Sequence, residues 1–137
     1  MAIRQLSVFA ENKNGSLFEI TKILASNDIN IRAFTVADTQ NFGVLRLIVD
    51  NPKKAAMALS SAEKVVNVTD VVGVQIPDYK GGLSELLRIL NDNGIAVEYL
   101  YAFVSSEAGK AHVIIRVENN AETEKLLEEK GFTLLQA

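Results

Sequence analysis

Two short loops hold the residues best placed for chemistry. Glu11-Asn-Lys-Asn-Gly-Ser-Leu17 and Pro77-Asp-Tyr-Lys-Gly-Gly-Leu83 each set an Asn or Asp three residues before a Gly: Asn12 before Gly15, and Asp78 before Gly81. Apolar residues at helical spacing follow each Gly, so each loop runs into a helix N-terminus. Unbonded backbone N–H groups and the positive end of the helix dipole meet there, which is a seat for a carboxylate. Gly removes the Cβ that would hold a ligand away from the backbone. A plain turn and cap would use the same residues, so the loops alone leave both readings open.

The rest of the inventory is poor in reactive groups. No cysteine is present, which excludes disulfides, thiolate nucleophiles and thiolate metal sites. The single histidine, His112, lies inside the strand-like run Ala111–Val117 and reads as a surface or interface residue. Glu122, Glu124, Glu128 and Glu129 share one helix with Lys125 and Lys130, which describes a solvated face. The chain has no G-x-S-x-G, no phosphate-binding glycine–lysine loop and no dinucleotide glycine fingerprint. The expectation is no catalytic residue, no metal and no cofactor. A net charge of −3 argues against a nucleic-acid partner, and Val44–Asp50 and Lys110–Val117 lack the aromatics that an RNA-reading sheet needs. Apolar runs such as Val44–Val49 fall far short of the ~20 residues that span a bilayer. The N-terminus shows no signal-peptide pattern, so the expected setting is cytoplasmic, with no membrane partner.

The elements that position the two loops come from an internal repeat. With a shift of 66, Gly15–Ile31 aligns with Gly81–Val97, and seven of the 17 positions are identical. Further on the shift is 68, with Leu45, Leu47 and Val49 falling on Val113, Ile115 and Val117. The chain therefore reads as two copies of one unit, 1–68 and 70–137. In the first copy Ile3–Ala10 is a strand, and Ser16-Leu-Phe-Glu19 spells an S-x-x-E capping box before a helix with Leu17, Ile20, Ile23 and Leu24 on one stripe. Strands Ile29–Asp38 and Val44–Asp50 follow around a turn at Thr39–Gly43. Asn51-Pro52 then caps a helix through Leu59, and Lys64–Val68 is the last strand. The second copy gives strand Val71–Ile76, a helix carrying Leu83, Leu86, Leu87 and Leu90, and strands Ile95–Val104 and Lys110–Val117. Helix Ala121–Lys130 and strand Phe132–Leu135 complete it.

The predicted fold is α+β: two ferredoxin-like β-α-β-β-α-β units in tandem, each an antiparallel sheet with both helices on one face. Tyr99, Tyr101 and Phe103 line one face of a strand, where the first copy has Ala33, Thr35 and Ala37. That aromatic stripe belongs either beneath the helices or on a face that packs on the sister unit, another chain or a ligand. The run Lys64–Ile76 between the units is β-like throughout, with no flexible linker.

The stretch Asn12-Lys-Asn-Gly-Ser-Leu-Phe-Glu-Ile-Thr-Lys-Ile-Leu-Ala-Ser-Asn-Asp-Ile-Asn-Ile31 resembles the ACT domain signature, D-x-P-G-x-L, an amphipathic helix and G-I-N-I opening a strand. Asp78-Tyr-Lys-Gly-Gly-Leu83 with Asn93-Gly-Ile-Ala-Val97 is similar, so the resemblance covers the chain as a tandem pair. ACT domains are regulatory modules that bind small molecules, most often free amino acids, at interfaces between paired modules. The resemblance implies ligand contacts at Asn12, Asn14, Gly15, Ser16 and Leu17, completed by Asn30 and Ile31. In the second copy it implies Asp78, Lys80, Gly81, Gly82 and Leu83, completed by Ala96 and Val97. It departs from the family where Asn14 and Lys80 replace the usual Pro, and where Asn12 replaces Asp. The implied partners are a small-molecule amino acid and a second copy of the chain, a regulated enzyme, or both. The implied function is a non-catalytic amino-acid sensor, with a regulatory subunit or transcription-modulating protein that works by protein contact alone as the alternative.

Overall fold

Alternating apolar residues make the strands, and 3.6-periodic apolar stripes make the helices that cover them. The computed structural model describes residues 3–11, 13–38 and 42–136. Its elements run β1 (Ile3–Glu11), α1 (Ser16–Ser26), β2 (Ile31–Asp38), β3 (Phe42–Val49), α2 (Pro52–Ser61), β4 (Val66–Pro77), α3 (Gly82–Asp92), β5 (Tyr99–Val104), β6 (Lys110–Arg116), α4 (Asn120–Glu129) and β7 (Thr133–Leu134). The chain divides into two compact units, Arg4–Thr69 and the remainder, with Ile3 grouped in the second.

In the first unit the strands lie in the order β2-β3-β1-β4. The register sets Leu6 opposite Leu47 and Val8 opposite Leu45. Those side chains share one face with Ala10 and Val49, and Ile20, Leu24, Ala55 and Leu59 of the two helices close the core over them. Burying each fully enclosed Leu or Ile contributes about 1.5–3 kcal/mol, enough in sum to hold both helices on that face. The second unit repeats this with the order β7-β4-β6-β5. Val72, Val74, Ile76, Val113, Ile115 and Val117 pack beneath Leu86, Leu90 and Leu127. The two units therefore share the α+β arrangement expected from the sequence.

Several boundaries differ from the sequence reading, each for a local reason. Lys64–Val68 and Val71–Ile76 are one strand from Val66 to Pro77, because nothing in Thr69-Asp70 breaks an extended run. Ile29 lies outside β2 because its N–H closes the end of α1 on the Leu24 carbonyl. Phe42 and Gly43 belong to β3 and not to a turn, while 39–41 lie outside the described residues. Tyr99, Tyr101 and Phe103 stand opposite Arg116, Ile114 and His112, on the face turned away from α3 and α4. Leu100 faces the helices instead, so the aromatic stripe does not lie beneath them.

Candidate functional site

The two strand–helix loops carry the same backbone device. Gly15 has φ 89° and ψ −8°, and Gly81 has φ 88° and ψ −5°. The Ser16 N–H donates to the Lys13 carbonyl, and the Gly82 N–H to the Tyr79 carbonyl. This is a type II turn with its obligatory left-handed residue at the third position. The Pro of the family signature falls at the second position, where Pro presets φ but other residues are accepted. Asn14 and Lys80 are therefore tolerated, whereas the Gly is not replaceable without strain.

The capping box expected at Ser16 and Glu19 does not form. Gly15 is the N-cap, Ser16 is the first helical residue, and neither helix N-terminus receives a side-chain cap. The left-handed Gly turns the chain into the helix one residue early, which takes Ser16 out of reach of its intended amide. Among the described residues, no acceptor is bonded to the Leu17 and Phe18 amides. Glu19 instead reaches Lys64, with 2.9 Å between Nζ and carboxylate. That hydrogen bond and charge hold the Glu19 carboxyl below its ordinary range. In the second unit Glu85 pairs with Arg88 of its own helix, which likewise lowers the Glu85 carboxyl and raises the guanidinium.

A cavity of about 400 Å³ opens beside the first loop. Ala10, Ser16 and Ile20 are its buried members, Phe9 and Val65 add apolar wall, and Glu11, Lys13, Glu19, Glu63 and Lys64 supply charge. The Ser16 residue is only 7% exposed, and among the described residues its hydroxyl makes no hydrogen bond. A larger hollow of about 880 Å³ lies between α1 and α2, lined by Lys22, Lys53, Lys54 and Met57, and includes no residue of the loop.

The structure gathers some of the sequence-predicted residues and leaves others apart. Ser16 lines the cavity; Asn14, Gly15 and Leu17 are exposed beside it and do not. Asn12 lies outside the described residues. Asn30 is exposed and its N–H donates to Asp50 Oδ1 at 3.1 Å, while Ile31 is half-buried at the start of β2. In the second unit Asp78, Lys80, Gly81 and Leu83 are exposed and Gly82 is buried. A Cβ on Gly82 would collide with the Pro77 carbonyl oxygen, so that loop folds closer onto its helix. The Asp78 N–H is tied to the Gly109 carbonyl at 2.9 Å. Ala96 is exposed and Val97 half-buried, both ahead of β5.

Glu63 and Lys64 escaped the sequence reading. The signal that marks them is the repeat itself, which sets them on Gly131 and Phe132. They belong to a helix end that the fold uses four times. After each helix one residue adopts positive φ, and its N–H and the next close on the last turn, forming a Schellman motif. The left-handed residues are Asp28, Glu63, Gly94 and Gly131. The residues that follow are Ile29, Lys64, Ile95 and Phe132.

Comparison with known proteins agrees with this geometry. A family model described as an ACT domain pair matches residues 1–136. A crystal structure of a Bacteroides thetaiotaomicron protein is 41% identical, with a TM-score of 0.92 over 98% of this chain and 92% of that one. The ligand-free regulatory subunit of aspartate kinase from Thermus thermophilus shares the fold at 15% identity, with a TM-score of 0.68 over 92% and 90% of the two chains. No protein of curated function matches the chain.

Proposed function

The chain belongs to the ACT domain pair family, a family of regulatory ligand-binding modules, and on that premise we propose that it is a non-catalytic sensor of a free amino acid. The observation that carries this reading is the cavity beside the Gly15 turn, which unites a helix N-terminus, the Ser16 hydroxyl and charges of both signs. A zwitterion needs that combination. Its carboxylate is suited to the Leu17 and Phe18 amides at the positive end of α1, and the rim carboxylates suit an ammonium. The about 400 Å³ available is ample for one amino acid. Gly81 offers the same turn in the second unit, over a tighter loop. The remaining implied contacts, including Asn30, Ile31, Ala96 and Val97, belong to the same reading. So do a cytoplasmic setting and a partner that is a second copy of the chain or a regulated enzyme. No helix among the described residues is long and apolar enough to cross a membrane.

A calorimetric screen of the 20 amino acids tests the proposal. One or a few should bind, and Gly15→Val should abolish binding at the first site. Val at φ 89° is strained, so the variant's folding is checked by circular dichroism. A screen in which nothing binds leaves regulation by protein contact alone. Phe18 and Phe34, 71% and 68% exposed, favour that second reading.

A further inference from the structure

Charge pairing around the first cavity leaves one acid over. Glu11 is bridged to Lys13 at 3.2 Å, and Glu19 to Lys64 at 2.9 Å. Glu63, the third carboxylate on the rim, has no cationic partner among the described residues. Its position is as unusual as its isolation. Of the four helix ends described, α2 alone combines a charged residue at the left-handed position with a charged residue after it. The left-handed position favours Gly, and Glu is not among the residues that tolerate it well. The following position normally places an apolar side chain against the helix, as Ile29, Ile95 and Phe132 do. At α2 both rules are broken, and both exceptions line the cavity.

The cavity's other walls suggest what Glu63 meets. Phe9, Ala10, Ile20 and Val65 offer apolar surface, and Ser16, 7% exposed as a residue, brings a hydroxyl that makes no hydrogen bond among the described residues. An aliphatic stem ending in a cation satisfies both: methylenes lie along the apolar wall and the charge reaches the spare carboxylate. Resting on the sensor reading above, we propose that Glu63 is the specificity-determining residue of the first site and selects an amino acid with a cationic side chain. The second unit has Gly131 and Phe132 at these positions and carries no such selector.

Isothermal titration with L-arginine, L-lysine and L-ornithine, against L-norleucine and L-glutamate, tests this on the full chain. At least one basic amino acid should bind tighter than norleucine by about tenfold or more, and glutamate should bind no better than norleucine. Glu63→Gln should erase that preference by weakening the basic amino acids far more than norleucine. Glu63→Gly should erase it too, yet raise Tm by relieving the left-handed backbone, which separates lost recognition from lost folding. If a neutral or acidic amino acid binds best and Glu63→Gln changes nothing, this inference is overturned and the sensor reading stands. If Glu63→Gln weakens norleucine as much as arginine, Glu63 holds the α-ammonium and the side-chain assignment is wrong. If no amino acid binds, both fail.

Discussion

The two copies share a backbone and differ in what they hang on it. Both enter their first helix through a Gly near φ 89°, and all four helices end in the same motif. The sameness lies where the chain must adopt left-handed φ, which only a few residue types allow. The differences lie where side chains meet space: Ser16 against Gly82, Glu63-Lys64 against Gly131-Phe132, Asp28 against Gly94. In every one of these pairs the second copy carries the residue that suits local folding better or packs tighter. The first copy carries a polar group instead, and two of its three differences border a cavity. Charge follows the same division. Residues 1–68 hold eight Lys and Arg against six Asp and Glu, and residues 69–137 hold six against eleven. A duplicated unit has thus kept its frame in both halves and its site-like chemistry mainly in the first.

The largest expected effect comes from exchanging residues at the loops. Gly82→Ser should cost about 1–3 kcal/mol, because the new Cβ must displace the Pro77 carbonyl and the Tyr79 ring. The reverse change, Ser16→Gly, should cost only about 0.5–1 kcal/mol, the helix penalty of Gly. Urea denaturation of both variants measures the difference. Equal costs would mean the two loops are the same shape, and the contrast between open and closed would collapse.

A smaller effect is expected at the ends of α1 and α3. Asp28 sits at φ 59° where Gly94 sits at φ 70°. Asp tolerates the left-handed region better than most residues, so Asp28→Gly should stabilise by no more than about 0.5 kcal/mol. Gly94→Asp should destabilise by about 1 kcal/mol. Thermal unfolding that shows no asymmetry would argue that the difference at this pair is neutral drift.

Much of this frame was legible in the residues. Period-2 runs such as Leu6-Val8-Ala10 and the Asn51-Pro52 cap read directly, and Asn51 does accept from the Lys54 N–H at 3.1 Å. The repeat carried the topology, since a pattern seen twice constrains both copies. What stayed hidden depends on distances the linear sequence does not contain. The capping box at Ser16 failed because a Gly one residue earlier took the cap, and local spacing cannot rank the two. The face of the aromatic stripe needed the register of β5 on β6. Glu63 and Lys64 lie far along the chain from Ser16, and their meeting at one cavity is a product of folding.

The smallest effect concerns pH, and it separates a long-range pair from a local one. The folded-state Glu19 carboxyl is held below its ordinary value near 4.5, chiefly by its hydrogen bond to Lys64. A depressed carboxylate stabilises the fold above its unfolded-state pKa, and the contribution is lost as pH falls through the lower folded value. Tm of the wild type should therefore exceed that of Glu19→Gln at pH 6, with the gap closing below about pH 4.5. Glu19 is exposed and Lys64 only half-buried, so the gap is small and shrinks in salt. Lys64→Met should remove most of the step, leaving the weaker pull of Lys13, whereas Arg88→Met should leave it untouched, because Arg88 pairs with Glu85 and Asp92 of its own helix. Nineteen and 64 are joined only by folding, whereas 85 and 88 share one helical turn and can meet whenever that turn forms. A step at Glu19 that survives Lys64→Met undiminished would place the stabilising charge elsewhere, and the charged lining of the first cavity would need a different partner for Glu19.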